Sequence, residues 1–455
     1  MKPNRLKNTV PAFALFACVC AAGFAQSSSS YFLEGSYNRY RLNPALTPER
    51  AFASLPALGG TAVESNMNVG LANFIYESKS KPGSLTTFMS GDVNSRKFLD
   101  ALPDMVRMNV NADVDLISFG FGTSKWYGWF DSRLRSMQSV AIPDDLFAFM
   151  KAGLSAGDYD ICDLSVTSMN FVQTSLGFRI RPIRNLSAGA STNLLWGAAY
   201  SKVGIDRMHA AIGPDSWTVS TAASVTMAVP ETRIVLDEDG KIKDVDCDLK
   251  HNHGVDSYGL TVDVGGEYDM KDVVPGLRIS ASITDIGAML WRNVQVLESD
   301  RDKSVVFDGF ADDGSGDRLD DDFEALARFS ETGDDKVTTA FDATYRLGAS
   351  YSLPGLDWLV FGELVTMRGG MNELYESRTS VNIAAGSVLD VSGSLAFSNL
   401  GTSFGSMLNL HPKRVNLFLG VEAGSLDLNS QFIPLDSFSF NVSLGVRMAF
   451  GKLVF

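Results

Sequence analysis

Histidine and cysteine are scarce in this chain, and their scarcity removes most chemistry at the outset. There are four of each among 455 residues. His209 and His411 stand alone, and the one cluster is Asp246-Cys-Asp-Leu-Lys-His251-Asn-His253. An HxH beside carboxylates and a thiol has ligand chemistry, but no third and fourth ligands follow at zinc-site spacing. A solvated loop is the reading, and neither a metal nor a cofactor is expected. The acidic run from Asp308 to Glu324 lacks the alternating register and distal glutamate of a calcium loop, so it too reads as solvated. No GxSxG, HExxH, Walker-type loop or strand–helix GxGxxG occurs, so no catalytic residue and no enzyme is expected. Lysine and arginine number 39 against 53 acids, net −14, and no basic patch exists to hold nucleic acid. Beyond the first residues no apolar run reaches the roughly eighteen that a transmembrane helix needs.

The first residues are a targeting segment. Lys2, Arg5 and Lys7 form a basic head, Val10 to Gly23 an apolar run, and Gly23-Phe24-Ala25 a small-x-small cleavage site. Leu15-Phe16-Ala17-Cys18 is the rival lipoprotein reading, which Phe16 fits poorly. Cleavage after Ala25 removes three basic residues and takes the formal charge from −14 to −17. Cys18 and Cys20 leave with it. Cys162 and Cys247 remain in an oxidising compartment, where a disulfide is permitted but not dictated.

What the chain does have is alternation, most clearly at its end. Phe438, Phe440, Val442, Leu444, Val446, Met448 and Phe450 occupy every second position, and Phe455 is the last residue. Between them lie Ser439, Asn441, Ser443, Gly445, Arg447 and Ala449. Successive strand side chains point to opposite faces, so this segment has one oily face and one small, wet face. Tilted, a strand of this length crosses a bilayer core of about 30 Å. A terminal strand closing on an aromatic resembles the signal read by the barrel-assembly machinery of the outer membrane.

Upstream, Tyr31 to Leu58 carries aromatics and prolines without strand period, and Asn43-Pro44 forces a turn. It reads as a leader, either lying on the periplasmic side or tucked into the lumen. Strands begin near Met67–Tyr76, and short helices are expected at Ser90–Leu102, Pro143–Ala152 and Asp320–Phe329. After Leu116 the apolar phase flips to Ile117, Phe119 and Phe121, which marks a bulge or an inner face that is itself apolar. The clearest internal strand runs from Thr339 to Leu353, with Asp342, Thr344 and Arg346 opposite Phe341, Tyr345 and Leu347. About fourteen strands result. A soluble β-sandwich shares the alternation. Strand length, the Ser, Thr and Gly of the wet faces, and Trp126, Trp196, Trp217, Trp291 and Trp358 near strand ends favour a barrel with interfacial girdles. The expected fold is all-β: an antiparallel transmembrane barrel, residues 61–455, behind a signal peptide (1–25) and a leader or plug (26–60). Its lumen wall should include Asp263, Asp342, Arg346, Asn441, Ser443 and Arg447.

Ser36-Tyr-Asn-Arg-Tyr-Arg-Leu-Asn-Pro-Ala45, Asp115-Leu-Ile-Ser-Phe-Gly120, Ile142-Pro-Asp-Asp-Leu-Phe147 and Ser282-Ile-Thr-Asp-Ile-Gly287 with Trp291 resemble a family of unknown function. Its members are outer-membrane barrels of Bacteroidota-type bacteria. More distantly, the Asn-Pro-Ala motif is similar to that of fatty-acid-transporter-like barrels and of the type IX secretion shuttle barrel, with fourteen strands and an N-terminal segment inside. That resemblance implies that Asn43, Pro44 and Ala45 belong to a plug. The expected partners are outer-membrane lipid, the assembly machinery and a small apolar ligand bound or passed across the membrane. The alternative is a non-transporting scaffold holding an envelope protein through its acidic loops.

Overall fold

The computed structural model describes residues 27–450 apart from 57, 82, 153–156, 214–215, 248–255, 300–303, 308–327, 334–335 and 425–436. The targeting segment, Phe455, His251, His253, the acidic run and the helix expected from Asp320 lie outside the described residues.

Fourteen antiparallel staves close a barrel. They are β1 (Thr61–Met67), β2 (Met105–Gly122), β3 (Trp126–Pro143), β4 (Gly157–Ile183), β5 (Leu186–Ile212), β6 (Tyr258–Asp269) and β7 (Leu277–Arg292). The second half is β8 (Thr344–Leu353), β9 (Leu356–Arg368), β10 (Leu374–Ala385), β11 (Leu389–Ser398), β12 (Gly401–Leu410), β13 (Val415–Gly424) and β14 (Phe438–Phe450). Closure is made by β14 against β1, from Thr61↔Leu444 to Met67↔Phe438. Ala51–Ser54 continues that edge, pairing Phe450 to Arg447 on one side and Phe119–Gly120 on the other. The closing stave is thus two short pieces, and the stretch after Met67, expected to be strand, turns instead into a 3-10 helix at Leu71–Asn73. The pieces were hard to see because Glu64 and Asn66 break the apolar rhythm.

Turns at one end are tight: 123–125, 184–185, 354–355 and 386–388. Connections at the other span 68–104, 144–156, 213–257 and 293–343; the first carries α1 (Ser95–Leu99) and the second α2 (Asp144–Ala152). Asn94 caps α1 by accepting from Lys97 N. Both helices fall within the stretches expected to be helical.

The barrel is inside out by the standard of a water-soluble fold. On β14, Asn441, Ser443 and Arg447 are buried, whereas Phe440, Leu444, Val446, Met448 and Phe450 are exposed. Phe178, Trp196, Leu260, Leu347, Phe404 and Leu419 repeat the outward apolar face around the cylinder.

One expectation is decided between its two alternatives, in favour of the bulge, and one is corrected. Ile117, Phe119 and Phe121 point outward, 44%, 40% and 55% exposed. The bulge at Leu116, where pairing to β3 jumps from Asp115 to Ile117, inserts one residue and so keeps the apolar side facing out. Trp291 belongs to no girdle: it is fully buried inside, stacked on Tyr200 at 5.1 Å, with its Nε1 donating to Thr339 Oγ1 at 2.9 Å. The Thr339–Leu353 strand is also interrupted. Lys336–Ala340 and β8 are separate, and between them Phe341 turns in to meet Phe171 at 5.4 Å.

Candidate functional site

The lumen is occupied by the chain's own residues 27–50, which touch staves on every side. Ser27 Oγ, Ser29 N and Ser29 Oγ all donate to Glu422 Oε1 of β13, at 2.6, 2.8 and 2.7 Å. Tyr31 shares a hydroxyl bond with Ser280 of β7 at 3.0 Å. Tyr40 donates to Asp131 of β3 at 2.7 Å. Where the segment presses closest, the wall supplies glycine. A Cβ at Gly362 would lie 2.3 Å from the Phe32 ring, and one at Gly189 would lie 2.2 Å from Pro44 O. Tyr31, Phe32, Leu42 and Leu46 form an apolar knot on Leu364 of β9.

Asn43, Pro44 and Ala45 sit in the middle of this segment, all buried. Asn43 Nδ2 donates to Gly266 O and Ala281 O, both at 3.3 Å, and its Oδ1 accepts from Ala45 N at 3.0 Å. Asparagine before proline thus bonds its own turn and the wall together.

A buried charge cluster fastens the segment to the closing staves. Arg41 Nη2 lies 2.6 Å from Asp115 Oδ1 and 2.5 Å from Asp131 Oδ2. Arg447 donates to Asp115 Oδ2 at 2.9 Å, to Tyr37 O at 3.0 Å and to Gly59 O at 3.1 Å. Burial, with Asp131 alongside, pushes the Tyr40 phenol up to about 12, so it remains a donor at any physiological pH. A buried carboxylate and guanidinium are costly to desolvate unless paired, and here each is paired.

The other lumen candidates fall on the inner face but apart from one another. Asp263 accepts from Ser191 Oγ, Asn193 Nδ2 and Asp285 N at 2.7, 2.9 and 2.7 Å. Ser443 and Asn441 lie beside β13 and β1. Asp342 and Arg346 line a cavity of about 110 Å³ between the segment and the upper staves. Arg133, Arg135 and Arg368 line it too, each near a carboxylate: Asp113, Asp285 and Glu64 respectively, at 3.2, 2.8 and 3.7 Å. Below the segment lies a second cavity of about 310 Å³, reached by Phe32, Leu33 and Trp358.

A family profile described as a family of unknown function, DUF5723, matches residues 44–422. The chain belongs to that family. Comparison with curated proteins finds no match. Among solved structures, this DUF5723 barrel is similar to the toluene transporter TbuX of Ralstonia pickettii. Identity is 10% over 92% of this chain and 100% of that one, with a TM-score of 0.47. It is similar also to the P. putida toluene transporter TodX, 8% identical over 92% and 95% of the two chains, TM-score 0.44. A Pseudomonas aeruginosa FadL homologue is 9% identical over 94% and 98%, TM-score 0.41. At such identities no residue of those proteins maps onto this one, so the DUF5723 lumen is read from its own side chains.

One part of that lumen was missed by sequence reasoning. Met169, Phe171, Leu195, Tyr200, Met289 and Trp291 form an apolar cluster on the inner faces of β4, β5 and β7. It abuts the charged cavity through Met137 and Phe341. On its other side, through Ala228 and Val294, it abuts a larger cavity of about 780 Å³. That cavity opens where β5 forks: its lower half pairs β6 from Tyr258↔Trp196, and its upper half pairs Trp217–Ala228 from Tyr200↔Ala228. The signal was present in Leu194-Leu195-Trp196 and Met289-Leu290-Trp291, apolar triplets that cannot all face one way. Cys162 is a free thiol, and among the described residues no group of carboxylates, thiols and imidazoles could hold a metal.

Proposed function

We propose that the protein is an outer-membrane barrel, reached after signal cleavage, that binds or passes a small apolar ligand. The observation that carries this reading is the aromatic cluster inside the lumen, bridging the fork cavity and the charged cavity. The cluster is packed on itself, and it meets the two cavities through Ala228 and Val294 on one side and Met137 and Phe341 on the other, so an apolar guest entering from either cavity has an apolar surface to join. The exposed apolar belt supports insertion in lipid, and the terminal stave from Phe438 to Phe450 supports handling by the assembly machinery. Short turns would face the periplasm and long loops the exterior. The rival reading, a scaffold acting through Asp308–Asp322, rests on a run that lies outside the described residues.

The test uses the full chain, folded in detergent and checked by heat-modifiable mobility. Proteoliposomes should take up phenylnaphthylamine, a neutral apolar fluorophore, above empty liposomes, and Leu195→Asp should reduce the gain about tenfold. Equal uptake with and without the protein overturns the reading.

A further inference from the structure

The cavity between residues 27–50 and the upper staves has a chemistry that an apolar ligand does not explain. Of its charged residues, most are already matched: Arg133 and Arg135 with Asp113, Arg135 with Asp285, Arg368 with Glu64. Two are not. Arg346 forms no ion pair among the described residues. Its Nη1 donates to Thr284 Oγ1 at 3.0 Å, and its buried Nε has no partner. Asp342 on the same cavity accepts only from Asn372 N, at 3.4 Å, and also pairs with no cation among the described residues. Orphaned atoms of both kinds surround them: Arg133 Nε is a donor, and Asn111 Oδ1 and Asn372 Oδ1 are acceptors. In native proteins, charges taken out of bulk water are almost always paired, so two uncompensated charges of opposite sign on one cavity point to a guest carrying both signs.

We propose that this cavity binds a compact zwitterion, its anionic group on Arg346 and its ammonium on Asp342. The carboxylate of an amino acid accepts from Arg346 and Arg133; the ammonium donates to Asp342 and to Asn372 Oδ1. At about 110 Å³ the cavity has the room of about three or four waters. That suits the α-carbon, ammonium and carboxylate of a small amino acid, or the zwitterionic end of a lipid headgroup. The site stands whether or not the aromatic cluster takes a ligand, so it can fail independently of the apolar reading.

Saturation-transfer NMR on the full chain in detergent decides it, with glycine, acetate, ethylammonium and lysophosphatidylethanolamine as probes. Glycine or lysophosphatidylethanolamine should bind, and acetate and ethylammonium should each bind far more weakly. Arg346→Gln and Asp342→Asn should each weaken the zwitterion by about thirtyfold or more, the order expected when one partner of a desolvated charge pair is removed. The exposed Arg207→Gln should leave binding unchanged. Glycine ahead of the lysolipid assigns a free amino acid; the reverse assigns a headgroup. Acetate binding as well as glycine, with Asp342→Asn indifferent, reduces the cavity to an anion site and overturns the proposal. So does binding of none of the four by a variant-free protein that keeps its heat-modifiable mobility.

Discussion

The two ends of the lumen use one inner face for different purposes. Around residues 27–50 the wall presents glycine, serine and a few charges, and the segment satisfies them: Glu422 accepts from Ser27 and Ser29, and Arg447 donates to Tyr37 O and Asp115. Above the segment the wall presents arginines, carboxylates and amides, and two of those charges, Arg346 and Asp342, form no ion pair among the described residues. The lower lumen is a packed core that happens to be polar. The upper lumen is arranged like a binding site. The difference teaches that burial of polar groups in a barrel means structure only where the partners are on the chain.

Breaking the lower half should cost most. Arg447→Ala strips Asp115 of one partner in a fully buried cluster and should destabilise the barrel by about 3–5 kcal/mol, read as a lowered midpoint of heat-modifiable unfolding. If instead the midpoint is unchanged, the cluster does not fasten the segment. Turning from the inner to the outer face of the same stave, Leu444→Arg puts a charge on the exposed apolar belt. A cost of about 2–4 kcal/mol is expected near a bilayer midplane, whereas Ser443→Ala, whose hydroxyl has no partner, should sit within about 0.5 kcal/mol. Equal costs for the two would show that the faces are reversed.

A smaller effect sharpens the boundary between the halves. Gly362→Val displaces Phe32 from its seat and should cost about 1–3 kcal/mol through overpacking. Planar-bilayer conductance should rise with it, because Phe32 and its neighbours separate the upper cavity from the lower. A variant that conducts like the parent would mean that the knot on Leu364 does not close the bore.

The smallest effect lies at the tight turn between β12 and β13. His411 Nε2 is 3.0 Å from Asp390 Oδ2, and that contact raises the imidazole above its ordinary value. A raised folded value means that its stabilisation is complete below about pH 6.5, the unpaired value, and fades as pH climbs through the raised one. The difference in unfolding midpoint between the parent and His411→Gln should therefore shrink from pH 6 to pH 9. A constant difference would assign His411 a packing role.

Much of this was legible in the residues. Period-two alternation in β14, β6 and β8 fixed the all-β class, because nothing but a strand has that period, and the count of about fourteen agrees with the closed barrel. Asp263, Arg346 and Arg447 were legible as inward residues for the same reason. Bulges were not. An inserted residue at Leu116 turns an apparent inward switch at Phe119 into an outward one, and only the pairing partner reveals which. The closing stave was equally obscure, since Ala51–Ser54 and Thr61–Met67 become one edge only when β14 lies between them and the choice.

The sequence alone therefore determined the faces: which side chains share a side of a strand follows from backbone geometry, which is local. Tertiary structure decided what those faces meet. Arg41 finds Asp115 and Asp131, Phe32 finds Gly362, and Phe171 finds Phe341 across long separations in the chain. Such pairings depend on stave register and on bulges that reset it by one residue, and no local pattern encodes them. The same register leaves Arg346 and Asp342 facing one cavity without an ion-pair partner among the described residues, which is the feature most open to experiment.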